Sequence, residues 1–458
     1  MVNVGVVGTG FVGLTHAAVT AMFGHDVIGY DYNEEKVKSF NSGVESEIEK
    51  YICEKGLADL VIEQLKSGRL SFTTNPEKLS DRQVIFMCLP TPYREDGSSN
   101  LSYLLDASET VVRVLSERHD FVLIVNKSTV PIGTAAMLNE HIYQLGLRNF
   151  EVASNPEFLP EGDAVQSAIH AHKVIIGAHK HESFELLREI YSVFVNSQTY
   201  IETNPETAEA IKYASNALLY IQIVTWQAIP GTIGEGFPLV NFDTVKRGML
   251  ADKRISGWGS YLSAGAGGSC FKKDILSLAN QLDKAGVDSS FARITDTINE
   301  YHKDYLVARA VNEGGYDFNG KIVALLGTAF KQDTNDMRES NVLKVVPALL
   351  KLGVKEIRVY DPLALAEAKR YFAPMDQAHK KISYHNVLKV ALLDTDVSYI
   401  ATDHKEFRSL LDLILQNTSK PHLVIDGRRM ISSAVLPKLL SNGVSYLAIG
   451  GTFRKAEE

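Results

Sequence analysis

Residues 2–31 read VNVGVVGTGFVGLTHAAVTAMFGHDVIGYD, and this stretch decides the fold. An apolar run over residues 2–7 leads into GTGFVG, a helix-like stretch continues to about Gly24, and a second apolar run ends at Asp31. This order predicts a strand, a glycine turn, a helix and a second strand that pairs in parallel with the first. We therefore expect an α/β protein whose parallel sheet is covered by helices.

The glycines of GTGFVG stand where a dinucleotide-binding turn needs them. The first allows a tight turn, the second lets a pyrophosphate approach the helix N-terminus, and the third lets the helix pack on the strand. An acid that ends the second strand accepts hydrogen bonds from ribose hydroxyls and repels a 2′-phosphate, which favours NAD over NADP. Glycines can also merely shape a turn, but here strand, helix and acid occur together. The motif residues expected to contact NAD are Gly8, Gly10, Phe11, Val12, Gly13 and Asp31.

Further apolar runs at residues 84–89, 122–125 and 174–176 extend the first sheet. Segments with helical periodicity separate them, as in a doubly wound sheet. These runs predict an N-terminal NAD-binding Rossmann domain over residues 1–203.

A helical region follows the first domain. Asn204 caps a long helix that has Pro205 at its first position, and a second helical stretch covers about residues 291–311. The apolar excess of these helices can be buried against a second subunit. We expect residues 204–317 to form a helical dimerisation region.

The sequence pattern of the first domain restarts near Gly320. KIVALLGTAF at 321–330 matches VNVGVVGTGF at 2–11, and IRVYD ends at Asp361 as DVIGYD ends at Asp31. Ala329 replaces the second glycine and the third is missing, so another ligand than the NAD pyrophosphate is expected there. The fold prediction is thus two Rossmann-like doubly wound domains joined by a helical core, the second covering residues 318–458.

Composition excludes several classes of function. The 458-residue chain has a net charge of -8, which disfavours nucleic acid, and no apolar run long enough to span a membrane. Its three cysteines fit neither a disulfide framework nor a metal site, so no metal is expected. The amino terminus leads directly into a strand rather than a secretory signal, and we expect a cytoplasmic protein.

Cys270 is the candidate nucleophile. It lies in AGAGGSCFKKD, where glycines bring backbone N–H groups close to the thiol and Lys273 and Asp274 follow shortly after. A nearby ammonium favours the reactive thiolate. A single cysteine is more often buried and inert, but this flanking sequence favours the nucleophile.

Other motifs place polar groups where they could act on a ligand. Glu209, Lys212 and Asn216 share one helix face, from which Lys212 and Asn216 can donate to an oxyanion; a solvated face is the alternative. SNPEFLPEGDA and NKSTVPIGT follow apolar strands, as does CLPTP, although turn chemistry alone also explains them. Cations near the repeat could bind nucleotide phosphates, each being a weak signal alone. The residues concerned are Thr91, Thr129, Glu157, Glu161, Lys331, Arg338 and Arg428.

Together these motifs resemble the UDP-glucose/GDP-mannose dehydrogenase family. The matching blocks are GTGFVG, PTP, STVPIGT, NPEF with EG, EAIKYASNA, GGSCFKKD, FKQDTNDMRES and DGR, which span nearly the whole chain. The resemblance implies an NAD-binding domain, a helical dimerisation core and a UDP-binding domain in a homodimer or higher homo-oligomer. It also implies oxidation of UDP-glucose to UDP-glucuronate by two NAD⁺, through a thiohemiacetal and a thioester on Cys270.

The resemblance assigns roles residue by residue. It implies catalytic roles for Cys270, Lys212, Asn216, Asp274, Glu157 and Thr129. Beyond the glycine turn and Asp31, it implies NAD contacts for Lys36, Thr91, Thr129, Glu161, Lys273 and Arg338. The implied UDP-sugar contacts are Glu157, Phe158, Leu159, Glu161, Lys212, Asn216, Arg254, Gly259, Ser263, Gly267, Lys331 and Arg428, with Arg254 reaching the neighbouring subunit.

Several positions depart from the family pattern. Two aromatic positions of the sugar pocket fall on Ala266 and Gly259, unless Tyr261 serves for the second. The family's Pro-Asp-Arg before a strand reads AHK at 171–173, the Arg of FLREG is Pro160, and the Asn-Glu that ends the long helix is Trp-Gln at 226–227. These departures bear on the sugar rather than on the chemistry.

Three alternatives stay open at this point. The same chemistry could act on another UDP-hexose or on GDP-mannose. A two-electron hydroxyacid dehydrogenase shares the fold but has no use for a cysteine nucleophile. A catalytically silent nucleotide-binding protein would not need Cys270, Lys212, Asn216 and Asp274 together.

Overall fold

A computed structural model of the chain describes residues 1–378 and 380–457. The chain divides into two compact units, one formed by Met1–Ser215 with Leu276–Ser289 and the other by Asn216–Ile275 with Ser290–Glu458. The domain boundaries expected from the sequence stay a prediction.

The first unit contains an eight-stranded sheet with the order β3-β2-β1-β4-β5-β6-β7-β8. All neighbours pair in parallel except β6 and β7, which pair in antiparallel at Ser154 and Gly177. The apolar runs predicted as strands are strands of this sheet. The strands are β1 Asn3–Val7, β2 Asp26–Tyr30, β3 Leu70–Thr73, β4 Val84–Met87, β5 Val122–Asn126, β6 Phe150–Ser154, β7 Val174–Gly177 and β8 Tyr200–Thr203.

Helices cover both faces of this sheet. In β4, Val84 and Phe86 belong to one apolar core and Ile85 and Met87 to another, because successive side chains of a strand point to opposite faces. The sheet is therefore buried on both sides, as its continuous apolar strands predict. The helices are α1 Phe11–Met22, α2 Glu34–Asn41, α3 Glu45–Glu49, α4 Leu57–Lys66, α5 Ser102–Leu115, α6 Thr134–Gln144, α7 Ala164–Ile169, α8 His181–Ile190 and α9 Pro205–Trp226.

The second unit contains a six-stranded parallel sheet with the order β11-β10-β9-β12-β13-β14. The first strand of each sheet lies in its interior, so the sequence repeat is also a repeat of topology. This observation confirms the predicted fold class. The strands are β9 Ile322–Leu326, β10 Glu356–Tyr360, β11 Ile382–Tyr384, β12 Val397–Ile400, β13 His422–Asp426 and β14 Val444–Ala448.

The remaining helices complete the chain. The helical stretch expected over residues 291–311 is two helices separated by a turn at residues 303–304, where Lys303 pairs with Glu300 and Glu339. A π-helical turn, Gln227–Gly231, follows α9. The helices are α10 Thr232–Gly236, α11 Phe242–Leu250, α12 Phe271–Lys284, α13 Ser290–His302, α14 Tyr305–Asn312, α15 Val342–Lys351, α16 Leu365–Asp376, α17 Leu388–Leu392, α18 Leu410–Asn417 and α19 Leu436–Leu440.

Within residues 1–378 and 380–457, none of the helices combines the length and the apolar character that crossing a bilayer requires.

Candidate active site

The turn between β1 and α1 is built on close backbone contacts. Gly8 has a φ of +86°, and a Cβ atom at Gly13 would lie 1.9 Å from the Gly8 carbonyl oxygen. A side chain at either position would disrupt the turn. A Cβ atom at Gly10, in contrast, would have no protein atom within 4 Å. The backbone there is open to a pyrophosphate at the N-terminus of α1, so these residues fit the predicted dinucleotide.

The Asp31 carboxylate lies immediately after β2. Its Oδ2 accepts hydrogen bonds from the backbone N–H of Thr9 at 3.0 Å and the Thr9 hydroxyl at 2.8 Å, and it lies 2.6 Å from Lys36 Nζ. Burial alone would raise the pKa of Asp31, but the hydrogen bond and charge of Lys36 and the bonds from Thr9 outweigh it and lower the pKa. The structure thus brings together the predicted NAD residues Asp31 and Lys36.

Two more predicted NAD residues contact each other beyond the ends of neighbouring strands. Thr91 follows β4, Thr129 follows β5, and the Thr91 hydroxyl donates to the Thr129 carbonyl at 2.8 Å. Ser128 supports this contact, since its hydroxyl donates to the Leu89 carbonyl at 2.7 Å and accepts from the Leu89 N–H at 2.8 Å. This edge is where parallel sheets bind ligands.

Glu157 and Lys212, both predicted site residues, form an ion pair. Lys212 Nζ lies 3.0 Å from Glu157 Oε1, and the two side chains are 6% and 10% exposed. The backbone N–H of Leu159 donates to Glu157 Oε2 at 2.5 Å. Burial alone would raise the pKa of Glu157, but the Lys212 charge and these hydrogen bonds lower it below its usual value. The pair is therefore a carboxylate and an ammonium shielded from water.

Two cations that sequence reasoning missed, the buried Lys127 and the half-buried Lys173, lie near this pair. Lys127 Nζ donates to Asn155 Oδ1 at 2.8 Å, and burial lowers its pKa to about 8. Lys173, one of the positions that depart from the family pattern, has its Nζ 3.9 Å from the centre of the Phe158 ring and donates to Ser215. Lys127 follows a strand as Thr129 does, and that position was its only sequence signal.

Glu209 has a different role from the one its helical spacing suggested. Its carboxylate accepts from the backbone N–H groups of Gly133 at 2.6 Å and Ala135 at 2.9 Å, and from the Ser154 hydroxyl. Glu209 therefore satisfies free N–H groups at the start of α6 instead of facing solvent. Burial, only partly offset by these bonds, raises its pKa to about 6.

The structure distinguishes the three cysteines. Cys88 is buried, which raises its pKa to about 12, and the pKa of Cys53 is also raised by burial. Cys270 is exposed and immediately precedes α12, whose Asp274 N–H donates to the Cys270 carbonyl at 2.9 Å. The positive end of a helix dipole stabilises a thiolate. Of the three thiols, Cys270 is the exposed one, and its role as nucleophile stays a prediction.

Asn216 and Asp274 are joined in the same unit as Cys270. Asn216 Nδ2 donates to Asp274 Oδ2 at 2.6 Å, and Lys273 Nζ lies 2.5 Å from Asp274 Oδ1. Asp274 is 1% exposed. These contacts leave an amide, a carboxylate and an ammonium, all predicted site residues, in one buried cluster.

The loop before Cys270 has no space for side chains at its glycines. A Cβ atom at Gly267 would lie 2.7 Å from Phe330 Cβ and 2.8 Å from the Glu339 carbonyl oxygen. Ser263 donates to the Gly265 carbonyl at 3.0 Å and accepts from Gln227 Nε2 at 3.0 Å. Gln227, where the family has Glu, is thereby used to hold the loop.

Arg428 forms a partly buried ion pair, with a guanidinium nitrogen 2.5 Å from Asp403 Oδ1. The charges of both act on the Tyr261 phenol, whose pKa is raised chiefly by burial. Gly259 has a φ of +77°, and a Cβ atom there would lie 3.3 Å from the Ile223 backbone nitrogen. Tyr261, not Gly259, is therefore the position that can present an aromatic side chain near Arg428.

The other predicted cations of the second unit contact their own neighbours in sequence. Arg338 pairs with Asp336 at 2.7 Å, and Arg254 pairs with Asp252 at 2.6 Å while its side chain stays 88% exposed. Lys331 Nζ lies 5.6 Å from the Phe330 ring centre. These three contacts do not join Arg254, Lys331 and Arg338 to one another.

The acid of the repeated turn is fully occupied by protein groups. Asp361 accepts from the backbone N–H groups of Thr328 at 2.6 Å and Ala364 at 2.7 Å and lies 3.3 Å from His404 Nε2. Burial alone would raise its pKa, but His404 and these N–H groups outweigh it and lower the pKa to about 2. No helix follows Gly327 directly; the next one, α15, begins at Val342. The predicted absence of a pyrophosphate turn here agrees with this geometry.

Comparison with known proteins places these observations in a family. Residues 2–195, 206–301 and 324–433 match the NAD binding, central and UDP binding domains of the UDP-glucose/GDP-mannose dehydrogenase family. The chain is 35% identical to UDP-glucose 6-dehydrogenase of Pseudomonas aeruginosa over 97% of this chain and 96% of that protein. It is 32% identical to TuaD of Bacillus subtilis, also a UDP-glucose 6-dehydrogenase, over 98% and 93%.

Solved structures give the same result. A UDP-glucose dehydrogenase from Pyrobaculum islandicum superimposes with a TM-score of 0.87 at 29% identity and 98% coverage of both chains. A UDP-D-ManNAc dehydrogenase from Pyrococcus horikoshii superimposes with 0.81 at 29% identity, covering 98% and 99%. The predicted family, fold class and NAD cofactor are confirmed. The chain belongs to the UDP-glucose/GDP-mannose dehydrogenase family.

Proposed function

We propose that this protein oxidises the C6 alcohol of UDP-glucose to the carboxylate of UDP-glucuronate, with two NAD⁺ per sugar and a thioester on Cys270. The observation that supports this proposal most is the position of Cys270, an exposed thiol at the N-terminus of α12 in the same unit as the Asn216–Asp274 cluster. A covalent bond to the sugar would retain the aldehyde between the two oxidations.

In this proposal the first oxidation needs a base and a charged donor. Asp274, directly or through water, accepts the C6 hydroxyl proton, and Lys212, held by Glu157 at 3.0 Å, stabilises the alkoxide that forms. The C6 hydride leaves at the same time, which makes the aldehyde. Glu157 balances the charge of Lys212 in this buried pair.

The second oxidation proceeds through a covalent bond between C6 of the sugar and the sulfur of Cys270. The Cys270 thiolate adds to the C6 carbonyl, and the resulting thiohemiacetal alkoxide is stabilised by Lys212 and the Asn216 amide. Loss of a second hydride gives the thioester. Water, oriented by Asp274, Glu157 and Thr129, attacks the carbonyl; the C–S bond breaks and the thiolate is restored, with the protons released to solvent.

The remaining predicted site residues bind the two nucleotides. NAD⁺ supplies the acceptor for each of the two hydrides. The open backbone at Gly10, with Asp31 and Thr91, would hold it in the first unit. In the second unit, Arg428 and Lys331 would bind the UDP diphosphate and Gly267 would let the sugar approach the loop backbone.

A stoichiometry assay tests the thioester. We expect two NADH per UDP-glucose in the wild type and no UDP-glucuronate from Cys270→Ala, with NAD⁺ affinity within about twofold of the wild type because the nicotinamide nucleotide does not depend on the thiol. Cys53→Ala, which removes a half-buried thiol elsewhere, is the matched control. Acid formation at wild-type rate by Cys270→Ala would refute the covalent route, and one NADH per sugar would favour a two-electron dehydrogenase.

Ala266 is the residue that favours a second class of candidate substrates. The methyl group at 266 replaces an aromatic ring of the family pattern, which leaves more space beside the cysteine loop. Another UDP-hexose, or GDP-mannose, is therefore the alternative substrate. NADH release measured across a panel of UDP- and GDP-sugars separates these, with UDP-glucose expected to give the highest kcat/KM.

We also propose that the protein is a homodimer or a higher homo-oligomer. Large apolar side chains of the helical region are exposed, including Leu218 at 57%, Ile294 at 61% and Tyr301 at 66%. A second copy would cover them. Light scattering behind size-exclusion chromatography should give a mass of at least twice that of one chain.

We infer a cytoplasmic location, because the three cysteines are free thiols and a reducing compartment keeps them so. Recovery of the protein in the membrane or secreted fraction of its source cells would contradict this inference.

A further inference from the structure

One buried side chain of α13 forms hydrogen bonds to the loop that precedes Cys270. Asn299 Oδ1 accepts a hydrogen bond from the Ala266 N–H at 2.7 Å, and Asn299 Nδ2 donates to the Ala266 carbonyl at 3.0 Å. Asn299 is 1% exposed. A two-point hydrogen bond to the N–H and C=O of one residue fixes the orientation of both adjoining peptide groups, much as a strand partner does.

The chain just after α13 also contacts the loop. A Cβ atom at Gly265 would lie 2.7 Å from Lys303 Cγ and 3.3 Å from the Asn299 carbonyl oxygen. Lys303 Nζ in turn lies 2.7 Å from both Glu300 and Glu339. The loop therefore rests directly on α13, which an ion-pair network anchors.

On the far side of the loop, a backbone hydrogen bond holds Gly268. The Gly268 N–H donates to the Arg338 carbonyl at 2.9 Å. Without Asn299, the Ala266 peptide groups would be left without these partners, and buried unpaired backbone groups are costly. The loop would then relax to a different arrangement, and Cys270 lies only four residues beyond Ala266.

We propose that Asn299 is a positioning residue for the nucleophile: it fixes the Ala266 backbone and so sets where the Cys270 thiol lies at the start of α12. The inference rests on the proposed role of Cys270. Asn299 itself contacts neither thiol nor substrate in this scheme. Its removal should lower the rate of the covalent step and leave the NAD site in the first unit unchanged.

The test compares Asn299→Leu with Thr295→Val. The first removes both hydrogen bonds to Ala266 at similar side-chain volume. The second removes a buried hydroxyl one turn earlier on α13 that donates to the Phe291 carbonyl of its own helix, at 2.7 Å. We expect kcat to fall about 10- to 100-fold in Asn299→Leu, with the KM for NAD⁺ within about twofold, and both to be unchanged in Thr295→Val. An equal fall in both variants, or wild-type kcat in Asn299→Leu, would overturn the proposal.

Hydrogen exchange of the wild-type protein provides a test that does not depend on folding of the variant. Amides of residues 263–268 should exchange at least about tenfold more slowly than those of loop 252–258, since Ala266 and Gly268 donate to partners packed against their loop, whereas the hydrogen bonds of loop 252–258 lie at an exposed surface. Equal rates in the two loops would overturn the proposal. The Cys270→Ala experiment tests a separate point. Acid formation by that variant would contradict the covalent mechanism, whereas fast amide exchange of residues 263–268 would contradict only the role of Asn299.

Discussion

The turns after β1 and β9 share a sequence frame but use it differently. After β1, the chain passes Gly8 and enters α1, the backbone at Gly10 is open, and Asp31 is held by Thr9 and Lys36. After β9, Ala329 takes the place of Gly10, is 1% exposed, and no helix begins until Val342. The first turn keeps space for a ligand, whereas the second fills that space with protein.

The two acids show the same difference. In the first unit the carboxylate of Asp31 is 7% exposed and paired with a lysine on a neighbouring turn. In the second, the carboxylate of Asp361 is 0% exposed and surrounded by backbone N–H groups and His404. Asp31 could exchange one of its partners for a ribose hydroxyl. Asp361, in contrast, binds groups of the protein and stabilises the turn. A repeated motif therefore keeps its function only where its polar groups keep a free approach.

The largest effect should come from the glycine that packs α1 against the turn. We expect Gly13→Ala to lower the free energy of unfolding by at least about 3 kcal/mol and to abolish NAD⁺ binding, because its Cβ would overlap the Gly8 carbonyl. The corresponding position of the repeat is Gln332, and Gln332→Ala should change stability by less than about 0.5 kcal/mol. Urea unfolding and NAD⁺ titration measure both. Comparable losses in the two variants would mean that the turns are equivalent.

Exchanging each acid for its amide should separate a structural role from a binding role. Asp361→Asn should cost about 3 kcal/mol of stability with unchanged NAD⁺ affinity, since it leaves several buried donors unpaired. Asp31→Asn should cost less than about 1 kcal/mol but weaken NAD⁺ binding about tenfold, through loss of a charge-assisted hydrogen bond. Calorimetry gives both quantities for both variants, and loss of NAD⁺ affinity in Asp361→Asn would break the distinction.

Acid unfolding sharpens the same contrast. The folded-state pKa of Asp361, about 2, lies below its ordinary 3.8, so its contribution to stability is complete above pH 4 and is lost as the pH falls from about 4 to 2. The size of this contribution is about 2 kcal/mol. The stability of Asp361→Asn should therefore fall less steeply than that of the wild type over this range. Parallel pH curves would contradict the assignment.

The smallest change tests the space at the second glycine. Gly10 has a φ of -71°, which alanine adopts readily, so Gly10→Ala should keep its stability within about 0.5 kcal/mol while NAD⁺ binding weakens about tenfold. Ala329→Gly should lose about 1 kcal/mol through removal of a buried methyl group and gain no affinity for NAD⁺. Wild-type NAD⁺ affinity in Gly10→Ala would show that the pyrophosphate does not approach this backbone.

Local patterns accounted for the parts of the fold that local forces decide. The apolar runs became strands, the Asn204–Pro205 signal opened α9 at Pro205, and the repeat at 321–330 became the first strand of a second sheet. The helical stretch predicted around residues 291–311 is formed by α13 and α14, but the sequence did not predict the turn between them, where Lys303 pairs with Glu339, which lies far along the chain. Periodicity carries no information about such a partner.

The candidate site shows the same limit. The sequence placed Glu209 on the face of Lys212, but only the fold shows that its carboxylate binds the backbone of Gly133 and Ala135. Asn299 carries no motif, because its partner is a peptide group rather than a side chain. The roles assigned to Cys270 and Lys212 rest on motifs and stay predictions.

The two hydrogen bonds between Asn299 and Ala266 have a consequence for engineering the substrate range of this protein. Since the two hydrogen bonds reach only the peptide groups, the residue type at 266 can change without loosening the hold. In the proposed mechanism, recognition of the sugar and alignment of the thiol would thus depend on different atoms of residue 266. Saturation mutagenesis at this codon is accordingly the most direct way to evolve the enzyme toward bulkier or smaller hexoses.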